Sequence, residues 1–440
     1  MRRFYLQPGG ALNGEISVPG DKSVSHRAVM LSAIAHGRSR ITGFLESADC
    51  LATLHAFEAM GVSFTRDGAA LVVDGVGRDG LQAPATALDL GNSGTSMRLM
   101  SGLMAGQRFD SHLVGDASLS RRPMARVIEP LTRMGAHIEG QEGGRAPLSI
   151  HGGQRLQGID YTPPVASAQI KSCVLLAGLY AQGITRVTEP GISRDHTERM
   201  LSAFGVRIEH EARTLSITGG QTLEAADVAV PADLSSAAFF IVGATIAQSS
   251  EIVLPGVGIN PTRRGVIDIL VRMGADIRLY DERIQAGEPV ADIVVRSAAL
   301  TGVDIGGAEV ELAIDEFPAI FVAAACAEGT TRLTGAAELR VKESDRIAVM
   351  ADGLRQLGVE VEVADDGLTI VGRGAATAFD GARIASHDDH RIAMAFAMAA
   401  LRANAPIEID DCDFVDTSFP GFVDLAAVAG LQIQASEVSV

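Results

Sequence analysis

The chain has 440 residues, long for a single hydrophobic core, so about two domains are expected. Hydrophobic residues make up 47% and charged residues 21%, a balance that excludes global disorder. The formal net charge is −17, which argues against nonspecific nucleic-acid binding; it leaves room for a small anionic substrate, because surface charge is screened beyond about 8 Å.

The N-terminal stretch MRRFYLQPGGALNGEIS has two arginines and no apolar segment behind them, so no secretory signal is expected. No apolar run reaches the roughly 18 residues of a membrane helix, and the expected location is the cytoplasm. Cys50, Cys173, Cys326 and Cys412 are far apart and form no CxxC, so neither a disulfide framework nor a zinc site is expected.

One phrase recurs along the chain: an apolar helical stretch, a glycine, then an alternating strand. It reads FEAMGVSF at Gly61, LTRMGAHI at Gly135, LSAFGVRI at Gly205, LVRMGADI at Gly274, LRQLGVEV at Gly358 and, more weakly, AAVAGLQI at Gly430. Each glycine stands where a helix C-terminus favours a left-handed residue. The spacings of 74, 70, 69, 84 and 72 residues point to six units. Such units are too long for common solenoid repeats, and their mixed patterns give an α/β (α+β) class with two domains of three units each.

The helix starts carry the functional signal. A helix N-terminus holds about half a positive charge, so structural helices prefer Asp or Glu there. This chain repeatedly puts cations at that end. PGDKSVSHRAVMLSAIAHG opens with Lys22 and Arg27, and LGNSGTSMRLMSGLMAG carries Arg98 behind a small-residue loop. In SLSRRPMARVIEPL, Ser120 reads as a cap with Arg121 and Arg122 before Pro123. ISRDHTERMLSAFG supplies Arg194 and His196, NPTRRGVIDIL Arg263 and Arg264, RVKESDRIAVMADGL Lys342 and Arg346, and HDDHRIAMAFAMAAL His390 and Arg391. Nearby acids such as Asp21, Asp195, Glu343 and Asp389 offer local pairing for any one of these. Seven cases together favour a shared anion site, with Ser23, Asn92, Ser93 and Thr95 able to present hydroxyl and amide groups to it. Neither GxxxxGK[ST] nor GxGxxG is present, so generic nucleotide binding has no support. Among the acids, Asp315 precedes the apolar helix of AIDEFPAIFVAAACAEG, and Glu343 lies between Lys342 and Arg346. With His390 they would make an acid–base set if brought together. No HxxxH, HExxH or Cys/His spacing indicates a metal.

PGDKSVSHRA, LGNSGTSMR, GDASLSRRPM, SAQIKS, SRDHTE, DEFP, RVKESDRI and DDHRIAM, in that order and over essentially the whole chain, resemble the 5-enolpyruvylshikimate-3-phosphate synthase family, or 3-phosphoshikimate 1-carboxyvinyltransferases. The resemblance implies two similar domains, each of three βαβαββ units around buried parallel helices. Residues 1–18 with 236–440 would form one domain and 19–235 the other, with the active site in a cleft that closes on shikimate 3-phosphate. The implied reaction transfers the enolpyruvyl group of phosphoenolpyruvate to the 5-hydroxyl of shikimate 3-phosphate, on the shikimate pathway to chorismate and the aromatic amino acids. By motif match, shikimate 3-phosphate would meet Lys22, Ser23, Arg27, Ser167, Ala168, Gln169, Arg194, Asp315 and Lys342. Phosphoenolpyruvate would meet Lys22, Asn92, Gly94, Arg122, Gln169, Glu343, Arg346 and Arg391. Asp315 would take the hydroxyl proton, with Lys342 orienting that hydroxyl. Glu343, with His390 and Lys22 close by, would protonate the methylene carbon. No metal or organic cofactor is implied, and the protein would act as a monomer without nucleic-acid or membrane partners.

GDKS, SAQIK, RDHTE and NPTR resemble the class II branch, often less sensitive to the inhibitor glyphosate, yet Gly94 stands where some tolerant members carry Ala. Thr417 and Ser418 precede Phe419, where some relatives have a lysine that contacts phosphoenolpyruvate. The alternative is the sister enzyme acting on UDP-N-acetylglucosamine, whose relatives usually carry a reactive Cys in the loop matching residues 115–124; this segment has none.

Overall fold

The computed structural model describes residues 2–374 and 378–437. The described chain forms two compact units. One is built from residues up to Pro19, Ala232–Arg283 and the chain from Pro289 onward; the other comprises Gly20–Pro231 and Ile284–Glu288.

Six helices are almost entirely buried: α1 (Lys22–Ala33), α2 (Gly94–Ala105), α3 (Ala168–Gly178), α4 (Leu234–Ile246), α5 (Phe317–Ala325) and α6 (His390–Ala399). They are rich in Ala, Leu, Met, Val and Phe on all sides, as a helix surrounded by protein must be. α1–α3 lie in the core of one unit and α4–α6 in that of the other. The Gly102 backbone lets α2 approach α3 closely, since a Cβ there would come within 2.2 Å of the Cys173 carbonyl.

Around these helices lie six sheets among the described residues. The element order is plainest in Leu88–Asp89, α2, Ser111–Val114, Ala125–Arg133, His137–Gln141 and Arg145–His151, a βαβαββ unit with one short helix inserted. It repeats in Asp160–Tyr161, α3, Ile184–Thr188, His196–Ala203, Ile208–Glu211 and Thr214–Thr218. In both sheets the first two strands pair in parallel, and the final hairpin adds two antiparallel strands. The N-terminal strand Arg2–Leu6 sits between Ile407–Asp410 and Ile433–Glu437, with Phe4 opposite Ile409 and Ala435, which ties the chain's start to its end.

All six repeat glycines have positive φ, between +81° and +118°, at the stop of an outer helix. The expected left-handed residue is therefore present in every unit. One local expectation changes. Ser120 is not a cap: Asp116 caps the short helix Ala117–Arg121, and Arg121 lies in its last turn, where a cation suits the carbonyl end. All four cysteines are buried and free, and burial pushes the Cys50 and Cys326 thiols up to about 12. No helix of the described residues is long and apolar enough to cross a membrane.

The repeat glycines differ in what a side chain would meet. At Gly205 (φ +83°) a Cβ meets open space, whereas at Gly430 (φ +118°) it would lie 2.2 Å from the Ala11 carbonyl oxygen. Gly205→Ala should cost about 1 kcal/mol, from the left-handed backbone alone. Gly430→Ala should cost about 3 kcal/mol, adding a backbone collision to that strain. Denaturant unfolding of both variants checks the order; equal costs would contradict it.

Candidate active site

None of α1–α6 has an acidic residue in its first turn. The acids that serve them sit one step earlier, at the cap. Asp21 accepts from Val24 N at 2.8 Å, Asp233 from Ser235 N at 3.0 Å and Asp389 from Arg391 N at 3.0 Å. Ser93 and Ser167 cap α2 and α3 without charge. Within each unit the three helix starts are joined by side chains.

In the unit of α1–α3, Lys22 is the first residue of α1 and pairs with Asp49. Arg27 is buried; its Nε donates to Thr197 Oγ1 at 2.6 Å, Nη2 to Ser172 Oγ on α3 at 3.0 Å, and Nη1 to the Ser23 carbonyl at 2.9 Å. Burial pulls its pKa down to about 10, with Glu198 and Asp21 opposing and Arg194 near enough to contribute. It stays charged at neutral pH. Arg122 Nη2 donates to Asn92 Oδ1 at 2.7 Å, and Asn92 Nδ2 donates to Asp116 Oδ2 at 2.7 Å. Gln169 on α3 accepts from Arg98 and donates to Thr95 Oγ1 at 3.0 Å. A Cβ on Gly94 would lie 3.2 Å from one guanidinium nitrogen of both Arg98 and Arg122. Lys22, Ser23, Arg27, Asn92, Gly94, Arg122, Ser167, Ala168 and Gln169 thus gather around three helix N-termini; Arg194 lies in the loop before His196–Ala203. Arg98 belongs to the group through Gln169 and Gly94, although its sequence position marked it only as a cation at a helix start.

Beneath this group, His26 is enclosed by hydroxyls. Its Nδ1 lies 2.8 Å from Thr53 Oγ1 and 3.3 Å from Ser96 Oγ, and its Nε2 lies 3.5 Å from Ser93 Oγ. Burial, then Lys22 and Arg27, hold its pKa well below the usual histidine range. The neutral ring ties α1 to the cap of α2.

In the other unit, Asp315 does not cap α5; that place is held by Glu316, whose side chain makes no cap bond. The Asp315 carboxylate instead lies 3.4 Å from Lys342 Nζ and 3.5 Å from Arg346. Its carbonyl accepts from Arg391 Nη1 at 3.0 Å. Arg346 is 1% exposed and pairs with Glu343 at 2.7 Å and Asp389 at 2.9 Å. Burial pulls its pKa down most strongly, yet Asp389, Glu343 and Asp315 together outweigh that and raise it. Asp389 shows the converse: burial favours its neutral form, but Arg346 prevails and the carboxyl falls below the usual range. His390 is buried at the first position of α6. Glu316 completes the join, accepting from Ser235 and lying 3.8 Å from Arg391. Asp315, Lys342, Glu343, Arg346 and Arg391 therefore form one ionic group, with His390 close enough to Asp389 to act on its charge. Ser418 is buried beside the packed rings of Phe240, Phe419 and Phe422, and no lysine stands there.

The sequence profile of EPSP synthase (3-phosphoshikimate 1-carboxyvinyltransferase) matches residues 6–425. The chain belongs to this family. A 3-phosphoshikimate 1-carboxyvinyltransferase of Alkalilimnicola ehrlichii is 63% identical over 433 residues, covering 98% of this chain and 96% of the relative. One from Halorhodospira halophila is 60% identical, covering 98% and 97%. The solved EPSP synthase of Acinetobacter baumannii superposes with a TM-score of 0.91 at 55% identity, covering 99% of this chain and all of that one. The fold implied by the motif resemblance is thereby shown, and the UDP-N-acetylglucosamine enzyme is not favoured.

The His26 environment has a stability consequence. A histidine whose folded-state pKa is lowered leaves the unfolded chain binding more protons below about pH 6.5, so stability falls as pH drops from there. The slope from this one group is at most about 1.4 kcal/mol per pH unit. In denaturant unfolding at pH 7.5 and 5.5, His26→Gln should lose less stability on acidification than the parent. An unchanged difference would remove His26 as the cause.

Proposed function

We propose that the two ionic groups serve one pair of substrates, phosphoenolpyruvate and shikimate 3-phosphate, in the cytoplasm and in a monomeric enzyme. Family membership gives the reaction: transfer of the enolpyruvyl group to the 5-hydroxyl, with release of inorganic phosphate. The observation that carries the division of labour is the different linkage of the two groups, mainly hydroxyl and amide in one and mainly ionic in the other. Around α1–α3, Lys22, Arg27, Arg98 and Arg122 face anion-ready helix starts with two uncharged caps, which suits phosphate and carboxylate. Around α4–α6, carboxylates stand within 3.5 Å of cations, which suits proton transfer.

In this reading Ser23, Arg27, Ser167, Ala168, Gln169 and Arg194 hold shikimate 3-phosphate. Lys22, Asn92, Gly94, Arg122, Arg346 and Arg391 hold phosphoenolpyruvate. Asp315, 3.4 Å from Lys342 and 3.5 Å from Arg346, removes the proton of the 5-hydroxyl while the hydroxyl oxygen bonds to C2 of phosphoenolpyruvate. Glu343, aided by His390 and Lys22, delivers a proton to C3. The resulting tetrahedral ketal phosphate then loses a methyl proton and its phosphate, re-forming the C2–C3 double bond and giving the enol ether product. Fixed cations stabilise the charge that shifts onto the departing phosphate.

Phosphate release from phosphoenolpyruvate should require shikimate 3-phosphate, and UDP-N-acetylglucosamine should not substitute. Asp315→Ala should fold normally and lower kcat by about 10³-fold, the scale of a lost general base. Arg122→Ala should chiefly raise the KM for phosphoenolpyruvate. Near-normal turnover in the first variant, or an unchanged KM in the second, would remove that residue from its role.

Gly94→Ala would press a methyl group against both Arg98 and Arg122, whose guanidinium nitrogens lie 3.2 Å from it. The variant should raise the KM for phosphoenolpyruvate more than that for shikimate 3-phosphate and weaken inhibition by glyphosate. Equal changes in both KM values would show that Gly94 does not border the phosphoenolpyruvate subsite.

A further inference from the structure

The sheet of Leu88–Asp89, Ser111–Val114, Arg145–His151 and His137–Gln141 turns one face inward, burying Leu113, Leu148 and Ile150. Side chains alternate along a strand, so His112, Ser149, His151, His137 and Glu139 stand on the other face. Register then sets their neighbours: His137 is directly opposite His151, and Glu139 is opposite Ser149.

The two imidazoles stack with centroids 4.3 Å apart and planes 26° from parallel. Both present Nε2 to one carboxylate oxygen. Glu139 Oε1 lies 3.3 Å from His137 Nε2 and 3.8 Å from His151 Nε2. One donor atom from each residue falls within 4.8 Å of the others. Metal–nitrogen and metal–oxygen bonds of about 2.0–2.1 Å in a tetrahedron separate donors by about 3.3–3.4 Å. The two Glu139–histidine separations, 3.3 and 3.8 Å, lie close to that span.

The surroundings of His151 strengthen the case. Its Nε2 is inaccessible to solvent and makes no hydrogen bond among the described residues. Its Nδ1 faces Asp110 Oδ2 at 3.6 Å, and the other Asp110 oxygen is anchored by the Gly152 N–H at 2.9 Å. A carboxylate behind one imidazole nitrogen, with the other nitrogen aimed at a shared centre, is how metal-binding histidines are commonly oriented.

We propose that His137, His151 and Glu139 form a surface site for one divalent metal ion of borderline softness, with zinc the best fit, oriented by Asp110 and completed by water. Two imidazoles and one carboxylate are the donor set such ions favour over magnesium or calcium. The ligands come from both strands of the outer hairpin, so the ion would clamp the edge strand His137–Gln141 to Arg145–His151. The site uses none of the residues assigned to enolpyruvyl transfer, so it stands or falls independently of that reaction.

Calorimetric titration of the full-length, chelator-treated protein with zinc chloride tests the proposal. Expected are one saturable site and a zinc-dependent rise in the thermal midpoint. Replacing zinc with cobalt(II) should give the visible absorption of a low-symmetry site. The double variant His137→Ala/His151→Ala should lose the binding and the thermal shift while keeping the unfolding midpoint of the chelator-treated parent and its enolpyruvyl turnover. Asp110→Asn should weaken binding by about 10-fold. Absence of saturable binding in the parent, or binding of the same stoichiometry and affinity in the double variant, would overturn the assignment.

Discussion

Bringing three helix N-termini together is the constraint on which much else in each unit depends. Each end carries unsatisfied N–H groups and about half a positive charge, so three of them repel one another and attract anions. Protein chains usually relieve this with first-turn acids. Here those positions hold none, and relief is confined to the caps and to a few outer carboxylates. A residual positive field is thereby built into the backbone, where it needs no flexible side chain to position it. The chain's net charge of −17 does not cancel it, because those acids are mostly distant and solvent-screened.

The two units resolve the same problem differently. Around α1–α3 the links are largely neutral: hydroxyls surround His26, amides join Asn92 to Arg122 and Gln169 to Arg98, and Arg27 reaches Ser172 and Thr197. Ion pairs there, such as Lys22 with Asp49 and Lys171 with Glu189 and Glu198, lie beside these links and do not replace them. Around α4–α6 the links are ionic, with Arg346 buried among Asp315, Glu343 and Asp389. A buried charge network of this kind adds little net stability, because desolvation offsets attraction; it does fix geometry, since Arg346 is held by three carboxylates at once.

The sheets carry a different freedom. Their inner faces must fill a core, so Leu113, Leu148 and Ile150 are interchangeable with other apolar residues of similar volume. Their outer faces meet water and are constrained only by the strand period. That is where His112, His137, Glu139 and His151 have gathered, apart from the residues assigned to enolpyruvyl transfer.

The sequence by itself determined the sixfold repeat, the left-handed glycines and the cation-bearing helix starts, because each is a local signal of backbone conformation or charge within a few residues. It also identified the family, since its motifs are contiguous. It misread Ser120, which lies inside a short helix capped by Asp116, while the next helix starts after Met124 with no side-chain cap. Tertiary structure decided which residues meet: Arg98 with Gln169, Asp315 with Arg346, and His137 with His151. Those pairings depend on helix packing and strand register across 14 to 71 residues of chain, and no local preference encodes which of many equivalent surfaces will pack together.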